Sequence, residues 1–190
     1  MNSLEWAAAL LGVINVALVV RRSIWNYPFG LAMVTLYFFV FFEARLYSDA
    51  LLQIFFFVVN LYGWWNWVQA RTAAGEVPVG TMSARARLIW TAGTAAACLI
   101  WGVGMASFTD AAAPLIDAGI AGTSVAAQIL LARRRIETWL FWILVDLAAI
   151  PLFWSRGLPY TSGLYVLFLM LSIAGLAGWA QQLRAQGAAA

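Results

Sequence analysis

Seven mainly apolar stretches run through this 190-residue chain, separated by short polar breaks. They are Leu4–Val20, Ile24–Phe42, Ser48–Gln69, Leu88–Phe108, Ala112–Ala132, Thr138–Trp154 and Tyr160–Leu183. Polar residues mark the breaks: Arg21-Arg22, Glu43-Ala44-Arg45, Arg71 to Arg87, Thr109-Asp110, Arg133-Arg134-Arg135 and Ser155-Arg156-Gly157. A helix that crosses a bilayer needs about 20 mainly apolar residues. The pattern therefore predicts an all-α membrane protein with seven transmembrane helices. The first and sixth runs are short for a span, so their ends are the least defined. Only the segment around Ala74–Ser83 is long enough to read as a linker.

Composition fits lipid as the solvent. The chain is 64% hydrophobic and 10% charged, where a soluble domain carries about 25% charged residues. Glu5 opens the first run with no basic segment before it, so this run reads as a retained helix rather than a cleaved signal.

Arginine distribution predicts orientation. With seven spans, Arg21, Arg22, Arg71, Arg85, Arg87, Arg133, Arg134, Arg135 and Arg184 fall on one side, and Arg45 and Arg156 on the other. The arginine-rich side is expected to be cytoplasmic. That puts the N-terminus outside and the C-terminus inside.

A shift of 112 residues aligns the two ends of the chain. Glu5 meets Asp117, Arg21 and Arg22 meet Arg133 and Arg134, Gly63 meets Gly175, and Trp67 meets Trp179. Several Ile, Leu and Phe positions match in the same register. Residues 4–69 and 112–183 thus read as two three-helix repeats, with residues 88–108 as a linker helix between them. An odd linker gives both triplets one orientation, a parallel 3+1+3 repeat of the SWEET type.

Several kinds of chemistry are excluded. The chain has no His, all its positive charges are Arg, and Cys98 is its single cysteine. No catalytic His pair, Walker-type lysine, internal disulfide or Cys–His metal cluster can be built. No enzyme, cofactor, metal or nucleic-acid role is expected. The modest net charge of +3 reflects arginines in loops.

The polar residues within the spans carry the candidate chemistry, because polar groups in lipid are costly and turn towards a bundle interior or cavity. In the third helix Gln53, Asn60, Trp64 and Trp67 share one helical face, with Asp49 a turn earlier. Gln53 and Asn60 are candidate ligand contacts, whereas Trp67, near the helix end, reads as an interfacial anchor. In the fifth helix Asp117, Ser124 and Gln128 share a face. Gln128 is the candidate there, and Asp117, like Glu5, reads as solvated. In the sixth helix Trp139, Trp142 and Asp146 share a face. An unpaired carboxylate at that depth should be protonated, neutralised by a partner or facing water. A cationic substrate between two indole faces would be one such partner, and a loop arginine is the structural alternative. The Gly119–Gly122 and Gly175–Gly178 stretches read as close helix packing. Pro151 is expected to kink the sixth helix.

Three signatures carry a family resemblance. They are Trp25-Asn26-Tyr27-Pro28-Phe29-Gly30 with Phe42 to Asp49 and Asn60-Leu61-Tyr62-Gly63-Trp64; Gln128 with Leu130 to Trp139; and Trp142 to Asp146 with Arg156-Gly157-Leu158. Together these resemble the PnuC family of vitamin-precursor transporters, over nearly the whole chain. The residue after Glu137, often Asn in that family, is Thr138 here. The resemblance implies a homotrimer in the bacterial cytoplasmic (inner) membrane. It implies facilitated diffusion of nicotinamide riboside, with thiamine or another B-vitamin precursor as the alternative. Gln53, Asn60, Trp64, Gln128, Trp139, Trp142 and Asp146 would bind the substrate between the triplets.

Overall fold

The computed structural model describes residues 3–43, 47–108 and 113–188. Arg45 and Asp110, which punctuate the sequence pattern, lie outside them. The described residues form seven helices: α1 (Ser3–Val20), α2 (Asn26–Glu43), α3 (Tyr47–Ala74), α4 (Ala84–Phe108), α5 (Pro114–Ala132), α6 (Thr138–Ser155) and α7 (Pro159–Ala188). Each covers one of the seven apolar runs. α3 to α7 are long and apolar enough to cross a membrane. α1 and α2 have 18 residues each. At 1.5 Å per residue they reach about 27 Å, just under the hydrocarbon thickness. α3 and α7 instead run beyond Gln69 and Leu183, to Ala74 and Ala188.

The helices close into a ring. α1 packs on α2 and α7, α3 on α2 and α5, and α6 on α5 and α7. α4 stands outside the ring and, among the described residues, packs on α5 alone. Small residues permit that contact. A Cβ on Gly122 would lie 2.5 Å from Cys98 Sγ, and one on Gly102 would lie 2.8 Å from Leu115. The remainder of α4 is strongly exposed and apolar, as at Leu88, Ile89, Leu99, Ile100 and Phe108. Such a surface suits lipid, not water.

The ring has two seams between its halves, one where α3 meets α5 and one where α7 meets α1. At the first, the Trp67 indole N–H donates to the Leu131 carbonyl at 3.1 Å. At the second, the Trp179 indole N–H donates to the Val19 carbonyl at 3.3 Å. The helix ends that supply these carbonyls are built alike. Arg22 and Arg134 both take left-handed backbone, with φ of 55° and 58°. The Arg22 N–H returns to the Val19 carbonyl and the Ser23 N–H to the Leu18 carbonyl, and Arg134 and Arg135 repeat this with Leu131 and Leu130. This is the Schellman closure of a helix end. It leaves Val19 and Leu131 with one lone pair each for an indole.

The aromatic packing also recurs. Tyr27 meets Trp67 edge to face with centroids 5.4 Å apart, and Trp139 meets Trp179 in the same way at 5.5 Å. Tyr27 fills the space beside Gly63 and Trp139 the space beside Gly175, so a side chain at either glycine would collide with a ring. Trp67 and Trp179 touch each other, with centroids 6.0 Å apart. The interfacial-anchor reading of Trp67 is therefore corrected: its ring is fully buried. Its N–H finds a carbonyl across the seam, so the ring has no need of the headgroup layer.

Residues 75–83 form a packed strap rather than a free linker. Val77 and Val79 are buried against the aromatic cluster. Gly80 makes a parallel bridge to Arg135, donating to the Arg134 carbonyl and accepting from the Ile136 N–H, both at 2.9 Å. On the opposite flank, Arg22 donates to the Val77 carbonyl at 3.0 Å and pairs with Glu76 at 3.3 Å. The strap thus crosses the arginine-rich end of the ring from the α1–α2 turn to the α5–α6 turn.

Candidate substrate-binding site

The helical periodicity of α3 turns Gln53, Asn60 and Trp67 inwards, and all three are buried. Trp64 shares that face and is half-buried against the aromatic cluster. Asp49, a turn nearer the helix start, stays exposed. From α5, Gln128 is buried and its Nε2 donates to Asn60 Oδ1 at 3.0 Å. Two carboxamides from separate helices thus meet inside the ring. Ser124 on the same face turns back to its own helix, donating to the Ile120 carbonyl. Asp117, read as solvated, is half-exposed and accepts both bonds from Arg156 Nη2, the shorter at 2.9 Å.

Asp146 is buried within α6, 2% exposed. Ser172 Oγ on α7 donates to its Oδ2 at 3.1 Å. The sequence left a loop arginine open as its partner. Among the described residues no arginine forms an ion pair with it; the ion pairs are Arg22–Glu76, Arg87–Glu137 and Arg156–Asp117. A hydroxyl satisfies one oxygen but offsets no charge. Ser172 carries no signal in the sequence pattern, since a lone Ser on an apolar helix looks like any other packing residue.

Trp142 and Trp139 lie one and two turns before Asp146 on the same face. Trp139 is fully buried, and its indole N–H has no acceptor among the described residues. Trp142 is half-buried and packs against both apolar clusters, the aromatic one and that of Ala126, Ala127, Leu130 and Phe141. Thr138 opens α6 fully buried and donates to the Ala127 carbonyl at 2.8 Å, pinning the helix start to α5. Six of the seven candidates thus sit inside the ring or on its aromatic floor in direct contact with other buried groups. The seventh, Gln53, lies two turns from Asn60 along the same inner face and is also buried.

Glu137, just before α6, organises the nearby strap. Its Oε1 accepts from the Met82 N–H and Thr81 Oγ1 at 2.9 Å each, and from Arg87 Nε at 2.8 Å. Burial alone would raise its pKa. The bonds from Met82, Arg87 and Thr81 outweigh burial and hold the carboxyl below the ordinary glutamate range.

The sequence model of the nicotinamide mononucleotide transporter family matches residues 2–181, almost the whole chain. The chain belongs to the nicotinamide mononucleotide transporter family. It is therefore a multi-pass membrane transporter and not an enzyme. Among relatives in this family, the nicotinamide riboside transporter PnuC of Escherichia coli (strain K12) is 27% identical, covering 100% of this chain and 90% of its own. The riboflavin/roseoflavin transporter RibM of Streptomyces davaonensis is 32% identical over 90% of this chain and 81% of its own. A crystal structure of the vitamin B3 transporter PnuC superposes with a TM-score of 0.77 at 27% identity, covering 95% of this chain and 82% of that one. Membership of the transporter family accounts for a chain that encloses buried polar groups in an apolar ring.

Proposed function

We propose that this chain carries nicotinamide riboside across the bacterial cytoplasmic membrane by facilitated diffusion, through alternating access. The observation that carries the reading is Asp146, a buried carboxylate with a hydroxyl partner and, among the described residues, no arginine, one turn along its face from Trp142 and two from Trp139. Nicotinamide riboside brings a flat pyridinium cation, a carboxamide and a ribose. A carboxylate would neutralise the cation, indole faces would attract it, and Gln53, Asn60 and Gln128 would exchange hydrogen bonds with the amide and sugar. The unpartnered Trp139 N–H is a further donor for a substrate oxygen. Trp64 would form part of the aromatic floor.

The proposed architecture is a parallel 3+1+3 repeat, residues 4–69 and 112–183 around a linker helix. Its support is the 112-residue register shared by the two seam bonds, the two left-handed arginines and the two aromatic–glycine contacts. In this scheme the triplets rock about the central site, and the seams at the arginine-rich end form the closed gate. That end faces the cytoplasm, with the N-terminus outside. The active unit is a homotrimer embedded in lipid. Uptake is downhill, so a rate that tracked an imposed pH gradient in proteoliposomes would overturn this part of the scheme.

A second reading is favoured by the riboflavin-transporting relative: a different vitamin of the same family. Thiamine is also a flat cation, whereas riboflavin is neutral. Calorimetric titration of the detergent-solubilised protein with nicotinamide riboside, thiamine and riboflavin separates them. Saturable heat with nicotinamide riboside that disappears in Trp142→Ala is the expected result. Saturable heat with another vitamin and none with nicotinamide riboside would replace the substrate while keeping the transporter.

A further inference from the structure

A cavity of about 310 Å³ opens where the strap, α4 and the end of α5 meet, at the arginine-rich end but outside the ring. Its rim carries Arg133 and Arg135, and its wall carries Met82, Trp90 and Leu130. Nearby charges are already committed, since Arg87 is held by Glu137 at 2.8 Å. Arg133 and Arg135 are not. Among the described residues neither forms an ion pair. Arg135 donates one bond to the Thr81 carbonyl at 3.0 Å, and the Arg133 guanidinium lies 5.8 Å from the Trp90 ring centre. Two adjacent cations without an anion repel each other, and an anionic ligand would relieve that cost.

The walls decide which anion. Trp90 and Leu130 are apolar, and α4, which supplies Ala86 and Trp90 to the lining, exposes Leu88 and Ile89 between them at 69% and 60%. In a membrane these two side chains meet acyl chains. The ligand must therefore combine a phosphate-like head with an apolar body at the bilayer interface. Basic pockets between helices at this depth suit anionic headgroups. We propose that this cavity binds the headgroup of an anionic phospholipid, with Arg133 and Arg135 on the phosphate and the Trp90 indole beneath it. The same cavity is lined by Thr81 and Met82, which hold Glu137 at the start of α6. A bound lipid would thus brace the strap against the helix that carries Trp139, Trp142 and Asp146.

The test is native mass spectrometry of the purified protein with phosphatidylglycerol and phosphatidylcholine of matched chains, together with thermal unfolding followed by tryptophan fluorescence. The wild-type protein should retain phosphatidylglycerol roughly 25-fold over phosphatidylcholine, and gain thermal stability from it alone, since each of the two guanidiniums adds about fivefold. Arg133→Gln should lose about fivefold of that preference, and Arg133→Lys should keep most of it. Arg156→Gln, at the opposite end, should change nothing. Both Arg133 variants should unfold at the wild-type temperature without lipid, which separates binding from folding. Equal retention of the two lipids, or an unchanged preference in Arg133→Gln, would overturn the proposal. Protection of the lipid-free protein by millimolar inorganic phosphate, with no added gain from phosphatidylglycerol, would also overturn it in favour of a soluble phosphate ligand.

Discussion

In the proposed function, substrate choice turns on Asp146. Its carboxylate is buried beside one hydroxyl, so an incoming cation would gain a partner without breaking an ion pair. Asp146→Asn keeps the shape and the bond from Ser172 but removes the charge. Binding of nicotinamide riboside should weaken tenfold or more, the scale of a buried charge-assisted contact. Titration calorimetry reads this directly, and a variant that binds as tightly as the wild type would remove Asp146 from the site. Binding of a neutral flavin should change little in the same variant. Glu137 makes a separate prediction in pH. Its folded pKa lies below the unfolded value of about 4.3, so its stabilising contribution is complete above that value. It is lost as pH falls through the lower, folded value. Melting temperatures should hold from pH 7 to 5 and drop at more acidic pH, with a shallower acid drop in Glu137→Gln. Equal acid drops in the two proteins would show that the strap does not depend on this carboxylate.

Among the elements, the proposed mechanism rests on the seams. α3 is tied to α5 by Trp67 and α7 to α1 by Trp179, each through one indole N–H to a helix-end carbonyl. Replacing either Trp by Phe retains most of the ring but removes the donor, at a cost of about 1 kcal/mol. The two rings touch, at 6.0 Å between centroids, so the double variant should depart from the sum of the single ones. Thermal unfolding of the two single variants and the double variant measures this coupling. Strict additivity would show that the seams act independently. If the seams are the closed gate, the same variants should also favour opening at the arginine-rich end. The kinetic signature would be a changed KM for uptake with folded protein throughout.

At the scale of the whole molecule, the proposed orientation predicts which residues face the cytoplasm. The proposed orientation, argued from arginine asymmetry, puts the strap and the α5–α6 turn inside. In a Cys98→Ser background, Tyr160→Cys should react with an impermeant thiol reagent on intact cells, and Ala73→Cys should not. Tyr160 is 74% exposed and Ala73 is exposed, so access is not limited by packing. The opposite labelling pattern would invert the proposed topology and with it the assignment of the gate.

What the sequence by itself determined is local and periodic: seven apolar runs, the uneven arginines, and the faces that group Gln53 with Asn60 and Trp139 with Asp146. Membrane burial selects for run length, and helix geometry fixes which residues share a face, so both can be read without knowing any neighbour. Only the tertiary structure decided what each face meets. That Gln128 bonds Asn60, that Ser172 rather than an arginine serves Asp146, and that Trp67 is buried at a seam all depend on which helices lie side by side. The strap is the clearest case. Residues 75–83 have the composition of a loop, and Val77 and Val79 alone do not announce a core. They become one because the aromatic cluster at the end of the ring leaves an apolar surface that the strap is positioned to cover.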